Sequence, residues 1–302
     1  MLPRFRRIQA GRIVLAGALA AGVAGACGAP APPVTPDAPT VELSHRPEPG
    51  VERSVAVGIY RQGPAGLVAL EIEGRGRVAA ADGDQRTHVF AVERARVREN
   101  GRSVQPEGAL GALASMEGLE LRWVTDARGN LRGTPEVHGG GDPDASWVPR
   151  VLLDDLVQFT GTFPAEPVPI GGTWTSPWHL HSLDGQYVAV GELRSRLDGV
   201  DAGLATIALD GSVSLPRDET RAYTVVGEGS ARGASRVALA SGETVDARLE
   251  VELMATAWAN GPDGWRHDIE ATVELRLWRL DLDGVEPPPA GPLARCDQRL
   301  RS

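Results

Sequence analysis

The chain has 302 residues, with 31 basic and 40 acidic side chains and a formal charge of −9, and every basic residue is an arginine. Its hydrophobic fraction, 42%, suffices for a full core, so a wholly disordered chain is excluded; the length suits one large domain or two ordinary ones. The acidic balance repels phosphate backbones and the 5% aromatic content offers few stacking surfaces, which argues against nucleic acid as a partner.

The chain opens on "MLPRFRR", a basic start, followed by the fourteen-residue apolar run "IVLAGALAAGVAGA". That run is short for a membrane span and right for a secretory signal. It ends at Cys27-Gly28. The arrangement resembles the bacterial lipoprotein signal, in which a small residue precedes a cysteine that becomes the lipidated first residue. Ala24 stands where a leucine is usual, and ordinary cleavage after Ala26 is the alternative. The resemblance implies a signal peptide over 1–26, lipid on Cys27, and a membrane partner reached through that anchor. It places the protein in the cell envelope, on the outer membrane facing the periplasm. Residues 28–50 hold seven prolines and read as a tether from Cys27 onward, rising about 3.1 Å per residue where extended.

A β-rich domain is expected over 51–286. Val68, Leu70, Ile72, Gly74, Gly76 and Val78 alternate with charged residues, as a half-buried strand requires. One helix is predicted within 143–160: Asp142 caps it, Pro143 opens it, and Val148, Leu152, Leu156 and Phe159 recur at helical spacing. Strands return with Tyr187, Ala189, Gly191 and Leu193, then with Ala205, Ile207 and Leu209. The clearest alternation is Val245 to Ala257, resumed from Trp265 to Leu277 after "ANGPDG", a predicted hairpin. Near Trp278 the parity flips, which predicts a bulge or a change of partner. Asn100-Gly101, Asp184-Gly185, Asp198-Gly199, Asp210-Gly211, Asn260-Gly261 and Asp263-Gly264 read as turns. Residues 287–302 form a flexible tail. Its Cys296 has no partner if Cys27 is lipidated, and no histidine near it in sequence, so it reads as a bystander thiol.

The fold class that follows is mainly β: a long, strongly twisted antiparallel sheet, a half-barrel or open barrel, packed against one helix. Two β lobes joined at the helix are the minor alternative. An outer-membrane barrel is disfavoured, because three tyrosines cannot furnish aromatic girdles.

Motifs for catalysis are weak. "HGGGD" at 138–142 looks like an esterase oxyanion loop, but no Gly-x-Ser-x-Gly elbow accompanies it. "GEGSARG" at 227–233 lacks the βαβ unit of a dinucleotide site, and "DLDG" at 281–284 lacks the rest of a calcium loop. No cofactor is expected. His179 and His181 lie on one side of a strand and are weak metal candidates, lacking a third ligand in the local sequence. The remaining odd stretch, "FPAEPVPIGGTWTSPWHLHS" at 163–182, reads as a structural corner made by Pro164, Pro167, Gly171, Gly172 and Trp174. Its Pro-x-x-Pro-Val-x-x-Gly-x-x-Trp segment is similar to one found in a family of uncharacterised bacterial envelope lipoproteins. Gly172 stands where that family often has an acid. The resemblance spans roughly 51–282 and implies neither an active site nor a ligand.

Two functions compete at this level. One is a non-catalytic binding or carrier module, holding an apolar or amphiphilic ligand between the sheet and the helix. Its motive is the run of small inward residues Gly74, Gly76, Ala189, Gly191, Ala205, Ala247 and Ala271. The other is a scaffold that contacts envelope proteins. An enzyme is not expected.

Overall fold

The computed structural model describes residues 39–64, 66–103, 111, 113–139, 155, 157, 162–182, 187–217, 223–259 and 266–282. Alternation of apolar and polar side chains produces strands wherever the sequence sustains it. In chain order these are β1 (Thr40–Val41), β2 (Arg53–Gly63), β3 (Gly66–Asp82), β4 (Gln85–Glu99), β5 (Arg102–Ser103), β6 (Glu120–Thr125) and β7 (Leu131–His138). They continue as β8 (Val168–Pro169), β9 (Thr173–His181), β10 (Val188–Asp201), β11 (Leu204–Leu215), β12 (Tyr223–Ala238), β13 (Thr244–Ala259) and β14 (Arg266–Arg279).

Eleven of these strands form one antiparallel path in the order β7-β6-β4-β3-β2-β14-β13-β12-β11-β10-β9, with β5 paired to β4 off the path. The path consists of two meanders, β2 to β7 and β9 to β14. They are joined where β14 pairs β2 from Thr272↔Gln62 to Arg279↔Val55. β7 and β9 are its two edges, so the sheet is not closed. Leu121 of β6, Leu193 of β10 and Leu249 of β13 nevertheless share one core cluster, so the sheet coils its inner face onto itself. Each such fully buried leucine contributes about 1.5–3 kcal/mol.

β13 carries the pattern most plainly. Val245, Ala247, Leu249, Val251, Ala255 and Ala257 are buried, while the residues between them are half-buried or exposed. The predicted bulge near Trp278 is absent. β14 holds its register against β13 without a shift from Trp258↔Arg266 to Asp246↔Trp278. The parity change instead marks the outer face, where Glu274 is 1% exposed and accepts from Arg248 Nε at 2.6 Å and Arg276 Nη2 at 2.8 Å. Arg276 in turn lies 4.7 Å over the Tyr60 ring. Two predicted turns also fail. Asp198-Gly199 falls at a register shift inside β10, absorbed as a bulge against β11, and Asp210-Gly211 lies within β11, where pairing on both sides overrides the local turn preference.

Part of the segment expected to be a tether is not one. Residues 39–50 are built into the domain: β1 pairs β8, Leu43 is buried, and three backbone bonds fasten the segment to different parts of the sheet. His45 N donates to Ala127 O (2.7 Å) in the β6–β7 turn. Arg46 N donates to Ser241 O (2.7 Å) in the β12–β13 turn, and Gly50 N to Val78 O (2.9 Å) of β3. This strap ties the two meanders together at one end. No helix stands as an element among the described residues, and the predicted helix over 143–160 falls outside them apart from Asp155 and Val157. Those two residues are helical and buried, at 1% and 5% exposure. Cys27, Cys296 and the tail also lie outside the described residues.

Candidate functional site

The inner face of β2, β3, β4 and β6 does not fill itself. It leaves a cavity of ≈ 190 Å³, closed on other sides by His45 and Pro47 of the strap, the 242–244 turn, the end of β14, and Val157 and Phe163. Val55, Val57, Val78, Phe90, Leu121 and Trp123 supply most of the apolar wall. Of the small residues expected to create this space, Gly76 alone is in its lining. Ala205 and Ala247 are packed in the core, and a side chain on Gly74 would meet Ala91 O at 2.2 Å. Those small side chains therefore let strands and core groups approach closely.

The polar end of the cavity is built around two histidines. His88 of β4 pairs across the strands with Trp123 of β6, and their rings stack at 5.0 Å and 7°. His88 Nε2 lies 2.9 Å from Thr125 Oγ1. The strap sets His45 beside it, with ring centroids 5.1 Å apart. His45 Nδ1 is 3.1 Å from Gly242 O, and since a carbonyl can only accept, Nδ1 carries the proton. Nε2 of His45 is thus a lone-pair acceptor, buried with no partner among the described residues. Burial drives both imidazoles toward the neutral form. It lowers His45 despite the Gly242 bond, and lowers His88 to about 3, with His45 and Arg86 adding to the effect.

Around this end the charges are matched. Arg53 lies 3.3 Å and Arg279 lies 3.8 Å from the Glu243 carboxylate, and Arg279 holds Asp281 with two bonds of 2.6 Å. The Arg279 hydrogen bond, against a smaller cost of burial, keeps Asp281 below the usual carboxylate range. Exposed Arg77 lies beyond them. The chemistry offered is an apolar slot with one acceptor unfilled among the described residues, and a rim of paired charges with the exposed Arg77 outside them.

The corner residues sit at the other sheet edge. Val168-Pro169 pairs with the strap, Gly171 turns at φ 84°, and Gly171 N donates to Leu197 O at 2.7 Å. A side chain on Gly172 would meet Pro169 O at 2.8 Å, which leaves no room for the acid the resembled family often has there. Trp174 Nε1 donates to Thr162 O at 2.7 Å, closing the corner, while Pro164 and Pro167 shape the approach to it. Pro177 stands on the edge strand β9, where a missing N–H is tolerated.

His179 and His181 follow on β9, with ring centroids 4.9 Å apart. The third group that the local sequence lacks comes from elsewhere: Asp155. Its Oδ1 accepts from His181 N (3.0 Å) and lies 2.7 Å from His181 Nδ1, and Arg61 Nη2 is 3.7 Å from its Oδ2. Burial pushes the Asp155 carboxyl up, and the His181 bond and Arg61 only partly offset that. Of the other histidines, His138 bonds Glu136 at 3.0 Å on the surface.

Sequence reasoning passed over Asp155, took His45 for a scattered single histidine, and weighed His88 only as a possible third partner of His179 and His181. A signal existed for two of them. Val41, Leu43 and His45 alternate with Glu42, Ser44 and Arg46, and Asp155 stands three residues after Leu152 on the predicted apolar stripe. His88 has no such signal, because its partners are set by strand pairing.

No protein-family model and no curated protein matches the chain. Among solved structures, one described as lipid–protein interactions in lipovitellin aligns over 81% of this chain and 26% of that one. The identity is 8% and the TM-score 0.44. Nothing about ligand or activity follows from a likeness at that level.

Proposed function

We propose that the protein is a non-catalytic envelope lipoprotein, anchored through Cys27, that holds a small single-chain amphiphile in the cavity beneath its strap. The observation that carries the reading is an apolar cavity whose lining includes a buried acceptor, His45 Nε2, with no partner among the described residues. Size sets the ligand. A dry apolar cavity of about 150 Å³ takes up benzene, so ≈ 190 Å³ suits one short chain rather than the two chains of a phospholipid. Charge sets the head. Arg53 and Arg279 of the rim already have carboxylate partners, Arg77 is exposed to solvent, and both histidines are neutral at pH 7. An uncharged hydroxyl satisfies His45 without disturbing those pairs. Val157, one of the two described residues of the segment 143–160, stands in the cavity wall.

Native mass spectrometry of the protein extracted from its own host tests the carrier role. A retained small amphiphile supports it; a co-purified protein in its place favours a scaffold. Replacing Cys27 with Ser tests the anchor separately. The account predicts loss of membrane association, and unchanged fractionation contradicts it.

A further inference from the structure

The edge of the sheet holds a second cluster, independent of the cavity. We infer that Asp155, His179 and His181 form a binding site for one divalent transition metal ion of the zinc class. Each offers one ligand atom, and the three atoms lie within 4.8 Å of one another. In a tetrahedral site with bonds of about 2.0–2.1 Å, ligand atoms stand about 3.3 Å apart. The cluster therefore needs only small side-chain adjustments to close on an ion. Two imidazoles and a carboxylate make a donor set suited to zinc or similar ions, and three protein ligands leave a fourth position for water.

Placement supports the same conclusion. Asp155 is 1% exposed, and its partners are an arginine at 3.7 Å and a histidine whose ring carries charge only when protonated. A buried carboxylate with such loose compensation gains from a divalent cation. His181 retains 14% side-chain exposure, which gives an ion a way in. The sheet fixes the two rings, since His179 pairs Val190 and His181 pairs Val188 on β10. In the empty site the proton between Asp155 Oδ1 and His181 Nδ1 occupies the metal's place. When an ion binds, that proton moves to Nε2, the other tautomer of the neutral ring, and the Nδ1 lone pair goes to the metal.

The alternative is that Asp155 merely clamps the edge strand through the His181 N–H and ring. Titration of the full chain with Zn²⁺ by isothermal calorimetry distinguishes the two. The expected result is one ion per chain, with affinity reduced tenfold or more in both His179→Ala and Asp155→Asn. The carboxamide introduced by Asp155→Asn can still accept from His181 N, so the variant keeps the strand contact while losing the charge. A clamp alone predicts no zinc uptake at all. Circular dichroism checks folding. If Asp155→Asn does not fold, His179→Ala decides. Absence of uptake by the unaltered chain, or unchanged affinity in a folded variant, overturns the inference.

Discussion

His88 shows how a single residue couples the cavity to stability. At pH 7 its ring is neutral in both the folded and the unfolded chain. Below about pH 6.5 the unfolded chain takes up a proton that folded His88 refuses until about pH 3. Stability conferred above 6.5 is therefore lost as the pH falls through that window. By pH 5 the loss from this residue is about 2 kcal/mol, and His45, lowered in the same direction, adds to it. In His88→Gln the ring is gone while a side chain able to hydrogen-bond Thr125 remains. Urea unfolding at pH 7 and pH 5 should then show a smaller difference than the unaltered protein, by about 2 kcal/mol. An equal difference would show that His88 does not carry the pH dependence. Nothing in the local sequence points to this behaviour. "RTHVF" reads as a strand with a histidine in it, and the desolvation arises only when Trp123 and His45 are laid against the ring.

At the scale of elements, the parts legible in the sequence are those whose reason is local. Period-two alternation predicted β3 and the β13–β14 hairpin, because one face is buried through the middle of β3 and along β13. Asn100-Gly101 marks a real hairpin, with both residues at positive φ. Asp198-Gly199 and Asp210-Gly211 carry the same chemistry, yet the first is taken up as a bulge against β11 and the second is kept extended by pairing to neighbours on both sides. The strap was missed for the opposite reason. Its prolines suggest a tether, but its fastening comes from backbone groups of turns far away in sequence. The strap also provides an element-level test. Gly242 has φ +67°, and a Cβ there would meet Ser44 O at 2.0 Å. Gly242→Ala should cost about 1–3 kcal/mol, or a fall in Tm of about 2–4 °C for each kcal/mol in a domain of this size. It should also speed hydrogen exchange at the His45 and Arg46 amides. Exchange and melting like those of the unaltered protein would mean that the strap is not held by this turn.

For the whole molecule, the central feature is a coiled, unclosed sheet whose two meanders are tied by the strap and whose interior keeps a space that its own side chains do not fill. The sequence reading expected an apolar pocket between the sheet and the helix and attributed it to small residues. Most of those residues serve close packing, and the space lies instead among valines, Phe90 and Trp123, where strap, sheet, Val157 and Phe163 meet. No periodicity encodes a void of that kind, since it depends on how far apart the closed-over walls come to rest. The measurement that tests it most directly is a calorimetric titration with straight-chain alcohols from four to eight carbons. Each methylene buried in the cavity is worth about 0.8 kcal/mol, so affinity should rise about fourfold per carbon. The rise should stop once the chain fills the space. Gly76→Leu, which places a side chain in the cavity wall, should weaken the longest alcohols most. An absence of binding across the series, or an affinity indifferent to chain length, would contradict the account.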